Sequence, residues 1–171
     1  MDLNVDFDAP CSAPDLFRWV DDLVRYPAWM PLVHRAEVEV DTPSVWLVEL
    51  RARVGPLSRS KRLRMVRTVS DGPHRARFER DEADGRRHAA WVLDAQVTAT
   101  SGGSSTGSRL TMQLHYGGAL WTGGLLERVL TDQIEQGKDK LLALIAEDDA
   151  DPGAAAGVAP TDADGATTDP A

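Results

Sequence analysis

The sequence predicts an α+β domain in which one long C-terminal helix lies on a curved antiparallel sheet. Three observations carry this. Between Gly118 and Glu147, the residues Leu126, Val129, Leu130, Gln133, Ile134, Leu141, Leu142 and Ile145 recur at three- and four-residue steps, the period of an α-helix. Between Val33 and Tyr116, six runs alternate apolar with polar residues, the period of a strand with one buried face. Turn-forming residues separate those runs. The other face of the helix carries Glu127, Arg128, Asp132, Glu135, Lys138 and Asp139. From about Gly124 the helix is roughly 33 Å long at about 1.5 Å per residue. Its apolar stripe must be covered, and the strands supply the cover.

The elements follow in order. Leu3, Val5 and Phe7 alternate with Asn4, Asp6 and Asp8 in a short strand stopped by Pro10. Ser12 is placed to cap a helix, with Pro14 in its first turn and Asp15 three residues on. Leu16, Phe17 and Val20 form its inner face. Asp21 or Asp22 caps a second short helix through Leu23 and Tyr26. Pro27 and Pro31 then break the pattern around Ala28, Trp29 and Met30. The next strand runs from Val33 to Val40, with a turn at Asp41-Thr42-Pro43.

In the strand from Val45 to Val54 the even positions Trp46, Val48, Leu50, Ala52 and Val54 face inward. Gly55-Pro56 turns the chain. A two- or four-residue connection puts Leu63 and Met65 beside Trp46 and Val48 and sends Arg62 and Arg64 outward. A three-residue connection would set both arginines among apolar neighbours, a costly burial without partners. The first register is therefore expected. After Asp71-Gly72-Pro73, Ala76 and Phe78 face inward. Asp84-Gly85 marks a hairpin. In the next strand Ala89, Trp91, Leu93, Ala95 and Val97 share the inner face, against His88, Asp94 and Gln96. Ser101 to Ser108 reads as a loop. Leu110, Met112, Leu114 and Tyr116 then face inward, against His115, and Gly117-Gly118 leads to the long helix.

Charge separates the chain into two parts. The net charge is −8, but seven acids and no Lys or Arg lie from Glu147 onward, leaving −1 for residues 1–146. The expected organisation is one ligand-binding domain over 1–146 and an acidic, Ala/Asp/Gly/Pro-rich disordered tail over 147–171. The domain shows no net positive charge, so no nucleic acid partner is expected. The basic run Arg59 to Arg67 reads as a solvated edge or outer face. The single Cys11 excludes an internal disulfide and fits a reducing compartment. No run is long and apolar enough for a membrane span, and no basic or apolar leader opens the chain. A cytoplasmic protein without stable membrane insertion is expected.

The element order, the segment Asp22-Leu-Val-Arg-Tyr-Pro-Ala-Trp-Met-Pro31 and the helix beginning Leu125-Leu-Glu-Arg-Val-Leu130 together resemble the START-like, or SRPBCC, superfamily. That superfamily includes polyketide cyclase/dehydrase-like proteins, quinone-binding START-like proteins, Bet v 1-type allergens and lipid-transfer domains. The resemblance covers roughly 1–146. It implies the helix-grip fold: a curved seven-stranded antiparallel sheet, two short helices after the first strand and a long C-terminal helix. It also implies an apolar cavity between sheet and helix that takes lipids, quinones or polyketides.

The candidate cavity-lining residues are Trp46, Val48 and Leu50 from one strand and Leu63 and Met65 from the next. Phe78, Trp91 and Leu93 follow, then Met112, Leu114 and Tyr116, with Leu126 and Leu130 from the helix. Trp29 and Met30 are placed at the lip, and Trp121 with Gly123-Gly124 at a possible hinge. Lys61, His74 and Arg80 stand near strand ends, and Tyr116, His74 or Arg80 is the expected polar anchor. Gly103-Ser104-Ser105-Thr106-Gly107 matches G-x-S-x-G but lacks the preceding strand and following helix of a nucleophile elbow. His34, His74, His88 and His115 show no metal-ligand spacing.

No catalytic set, metal or cofactor is expected. The leading reading is binding, with transport or sequestration, of a hydrophobic small molecule. A cyclase, aromatase or dehydratase using Tyr116 or Tyr26 with an Arg or His is the enzymatic alternative. A protein-interaction module without ligand is the third. Oligomeric state is left open.

Overall fold

The structure, a computed structural model, describes residues 1–54, 57–100, 107–118 and 125–150, with side chains at 52–59, 125–130 and 149 excepted. The connection at Gly55-Pro56, most of the 101–108 loop, the Trp121 and Gly123-Gly124 segment and residues 151–171 lie outside the described residues.

Strand β1 (Asp2–Ala9) is followed by helix α1 (Ala13–Phe17), a 3-10 turn (Leu23–Arg25) and helix α2 (Tyr26–Trp29). Then come β2 (Val33–Glu39), β3 (Thr42–Val54), β4 (Leu57–Asp71), β5 (Arg75–Arg80), β6 (Trp91–Thr100), β7 (Gly107–Tyr116) and the long helix α3 (Leu125–Ala150). The seven strands form one antiparallel sheet in the order β1-β7-β6-β5-β4-β3-β2. A curved seven-stranded antiparallel sheet with a long C-terminal helix is the helix-grip arrangement that the sequence predicts.

Register decides which residues face the concave side. Val54 pairs with Leu57 across a two-residue connection, so Trp46 faces Met65, Val48 faces Leu63 and Leu50 faces Lys61. The same parity passes through β5 and β6, where Phe78 pairs with Leu93. It continues to β7 and β1 through Leu93 with Leu114 and Leu3 with Leu114. The concave face is thus one set of alternate residues, mostly apolar, with Lys61, Arg67 and Arg80 among them. Arg62 is exposed and Arg64 is turned to Glu39 on the convex side, as the expected register requires.

The helical segment after β1 is held by specific polar contacts. Ser12 caps α1 by accepting from the Asp15 amide at 3.3 Å, and Asp22 caps the 3-10 turn by accepting from the Val24 amide at 3.0 Å. Asp22 also accepts from Trp46 Nε1 at 2.9 Å. Arg67 donates to the Asp21 carbonyl at 3.0 Å and lies over the Trp46 ring. These contacts fasten the segment to β3 and β4.

Four details differ from the sequence expectation. Pro27 does not break a helix; it occupies the first turn of α2, where the missing N–H costs nothing. The β2–β3 turn is Val40-Asp41, and β3 starts at Thr42. Asp41 takes a φ of 63°, which Asp tolerates better than most residues. Strand β6 starts at Trp91; just before it the Ala90 carbonyl accepts from Gly117 and the Ala89 carbonyl from Arg80. Helix α3 continues through 147–150, four residues that the expected tail included, and Arg18 pairs with Asp148 in its last turn.

Asp94 faces the convex side as expected, yet it is only 5% exposed. Arg75 grips it through two bonds of 3.1 and 2.6 Å, and Arg77 approaches at 3.4 Å. Burial opposes the charge on Asp94. The hydrogen bond and charge of Arg75, with help from Gln96 and Arg77, outweigh burial and hold the carboxyl below its usual value. A carboxyl with a depressed folded pKa stabilises the fold above its unfolded pKa of about 3.9 and loses that contribution as pH falls through the folded value. Asp94→Asn is expected to lower the thermal midpoint at pH 7, and its deficit against wild type should shrink below about pH 4. Melting curves across pH check this; a deficit unchanged with pH would contradict it.

Candidate ligand-binding cleft

A cleft opens between the concave face and α3. The space between its walls, together with the open solvent at its mouth, is about 710 Å³. Leu3, Val5 and Phe7 of β1 form one wall, with Met112 and Leu114 of β7 and Trp91 and Leu93 of β6. Leu50 of β3 and Val33 of β2 come from the far edge of the sheet. Strands from both edges reach one cleft only because the sheet curls. Register shifts in β2 and β4 contribute local bends.

Helix α2 and the residues after it close one side. Trp29 is 2% exposed, packs on Tyr26 at 4.8 Å and donates from Nε1 to the Trp19 carbonyl at 3.2 Å. Tyr26 donates its hydroxyl to the Val20 carbonyl at 3.0 Å. Burial pushes that phenol well above its ordinary value, so it stays protonated. Met30 and Leu32 complete this side.

Helix α3 supplies Gln133, Ile134 and Lys138. Gly137 lets it approach: a Cβ there would sit 3.3 Å from the Trp29 carbonyl and 3.4 Å from Met30 Sδ. Lys138 was expected on the outer helix face. Its stem instead lines the cleft, while the ammonium lies 3.8 Å from Glu135, an arrangement that covers apolar surface and keeps the charge wet. Farther along, Leu141 and Ile145 are buried in the core.

The structure thus brings Trp29, Met30, Leu50, Trp91, Leu93, Met112 and Leu114 to the cleft. It does not bring Trp46, Val48, Leu63, Met65 or Phe78 there. They face the same way but are packed solid, with Trp46 edge-on to Phe78 at 5.4 Å. Periodicity gives the face of a residue, not the depth of free space above it. The side chains of Leu126 and Leu130 lie outside the described residues. The β1 residues Leu3, Val5 and Phe7 were missed as lining, although their alternation was legible.

Tyr116 stands behind Trp91, ring to ring at 5.1 Å, and is 3% exposed with no partner for its hydroxyl among the described residues. Lys61 reaches across the concave face to lie 5.2 Å from the Tyr116 ring and 5.9 Å from the Trp91 ring. Arg80 points to the same end of the sheet, bonded to Glu82 at 2.6 Å and to His88 Nδ1 at 3.1 Å. His88 is therefore off the strand and folded onto Arg80 and Asp84, not displayed on the outer face as expected. His74, the other expected anchor, is exposed in the turn at the opposite end of β4 and β5. Among the described residues no group of His, Cys, Asp and Glu is placed to hold a metal. None of the described helices is long and apolar enough to cross a membrane.

Comparison with known proteins agrees with this geometry. The model of the family described as polyketide cyclase/dehydrase and lipid transport matches residues 2–146. The chain belongs to that family.

Among solved structures, a START superfamily protein from Mycobacterium smegmatis superposes with a TM-score of 0.61 at 13% identity, covering 85% of this chain and 97% of the other. The Zhui aromatase/cyclase from Streptomyces sp. R1128 gives 0.58 at 14% identity, covering 92% and 99%. A conserved protein from Geobacillus kaustophilus gives 0.64 at 12% identity, covering 86% and 97%. At such identities the likeness shows the fold. No curated protein matches the chain.

At Gly137 helix α3 closely approaches Trp29 and Met30, two residues of the cleft wall. Gly137→Leu is expected to push α3 off Trp29 and Met30 and to cost about 1–3 kcal/mol, the range for overpacked contacts. Chemical denaturation checks the loss. An unchanged midpoint would show that α3 does not depend on that contact.

Proposed function

We propose that this protein binds a hydrophobic small molecule, of the size of a lipid, quinone or polyketide, in the cleft between the sheet and α3, for transport or sequestration. The observation that carries this reading is the composition of the wall. Leucine, valine, methionine and aromatic side chains from both sheet edges, with α2 and α3, wall one cleft, and a mostly apolar lining with few polar groups is the mark of a small-molecule site. Membership of a cyclase and lipid-transport family supports a hydrophobic ligand. Affinity would come from apolar area, at about 25 cal/mol per Å².

An enzymatic reading needs two ionisable groups facing the bound molecule. On the cleft wall itself, Tyr26 has its hydroxyl committed to Val20 and Lys138 stands beside Glu135. Binding is the better-supported reading of that wall.

Native mass spectrometry of the gently purified protein, with palmitate, decylubiquinone and an anthraquinone as added probes, tests it. A one-to-one adduct is expected. Leu114→Trp, which fills the cleft from β7, should lower probe affinity by about tenfold or more, near the worth of a bulky apolar contact, while the far-ultraviolet spectrum stays unchanged. A protein that stays bare with every probe would remove the pocket reading and favour an interaction module.

A further inference from the structure

The most unusual chemistry in the molecule lies at one end of the concave face. Strand β4 begins there, β5 ends, β6 begins and β7 ends, so Lys61, Arg80, Trp91 and Tyr116 converge from four strands. Trp91 belongs both to this group and to the cleft wall. Lys61 also pairs with Leu50, another lining residue, so the group adjoins the cleft along Trp91 and Leu50.

Its polar atoms are not balanced among themselves. Tyr116 Oη is buried with no hydrogen-bond partner among the described residues, a state that usually costs about 1–3 kcal/mol. A Cβ at Gly118 would collide with that hydroxyl, so the chain passes it there as glycine. Lys61 Nζ rests over two aromatic rings and, among the described residues, forms no ion pair. Glu82, the carboxylate whose charge reaches Lys61, is hydrogen-bonded to Arg80. Two cations thus share one carboxylate in a partly desolvated place. Burial, and then the charge of Arg80, draws the Lys61 pKa below its usual value, with Glu82 opposing. Burial pushes the Tyr116 phenol up, with Arg80 opposing, so Tyr116 is a neutral donor at pH 7.

We propose that this end of the cleft binds the anionic oxygen of an otherwise apolar ligand, a carboxylate or an acidic enolate, between Lys61 Nζ and Tyr116 Oη, with Arg80 adding positive charge behind them. This rests on the cleft reading and adds to it the class of ligand: an amphiphile with one acidic oxygen, oriented with its tail along Leu93, Met112 and Leu114. An anion supplies what the two donors lack, and a desolvated setting makes the bond strong. A neutral hydrocarbon supplies neither.

Matched probes test it on the full chain. One pair is dodecanoate and its methyl ester; the other is 2-hydroxy-1,4-naphthoquinone, ionised at neutral pH, and its methyl ether. Wild type is expected to bind the anion of at least one pair about tenfold more tightly than the neutral partner, the scale of one charge-assisted hydrogen bond. The pair with the larger ratio identifies carboxylate or enolate as the source. Lys61→Met, which keeps the apolar stem, should lower that ratio several-fold, because Tyr116 and Arg80 remain. Tyr116→Phe should reduce it by a smaller factor. Equal binding of anion and neutral partner by wild type, or a ratio unchanged by Lys61→Met, overturns the inference and leaves the cleft reading standing. Failure of all four probes to bind overturns both.

Discussion

The structure depends on the parity of one connection. Two residues separate Val54 from Leu57, and this even number decides that the odd residues of β4 join the even residues of β3. A connection one residue longer would exchange the faces of β4. Lys61, Leu63 and Met65 would turn to solvent, and Arg62 and Arg64 would enter the concave side. Because β5, β6, β7 and β1 are paired in series after β4, each inherits its apolar face from the one before. The cleft wall is the sum of those inheritances, and α3 has an apolar surface to cover only because they agree.

That logic explains why so much of the fold is legible in the sequence. Trp46 and Val48, or Leu110 and Met112, announce their face by alternation alone, and charged neighbours such as Arg62 and Arg64 settle the register through the cost of burying them unpaired. The caps at Ser12 and Asp22 are legible for a similar reason: a short oxygen-bearing side chain at a helix start has one obvious task. Pro27 was misleading because a proline that forbids a helix interior suits a first turn equally well.

The site was less legible because it depends on depth and reach. Phe78 and Leu93 are cross-strand neighbours on the same face, yet one is sealed in the core and the other borders open space. No periodicity separates them; what lies above each strand does. Lys61 carries the same lesson for polar groups. Its position beside Leu50 follows from register, but its approach to Trp91 and Tyr116 two and three strands away depends on the length of its side chain and the curl of the sheet. Asp94 is the mirror case, an outward residue buried because two arginines from the neighbouring strand close over it.

The pairing of β1 with β7 has a consequence in time. The Met1 ammonium meets the Tyr116 carbonyl across 115 positions of sequence, and every rung of that ladder closes a loop of nearly the whole domain. Loop-closure entropy grows with length, and such distant contacts are rewarded only after nearer ones have formed. Strand β1 therefore waits for β7. Leu3, Val5 and Phe7, which wall the cleft, have no place to stand until β7 exists. The hairpins of β2 to β7 can form from neighbours in sequence, but the cleft gains its β1 wall only when β1 meets β7.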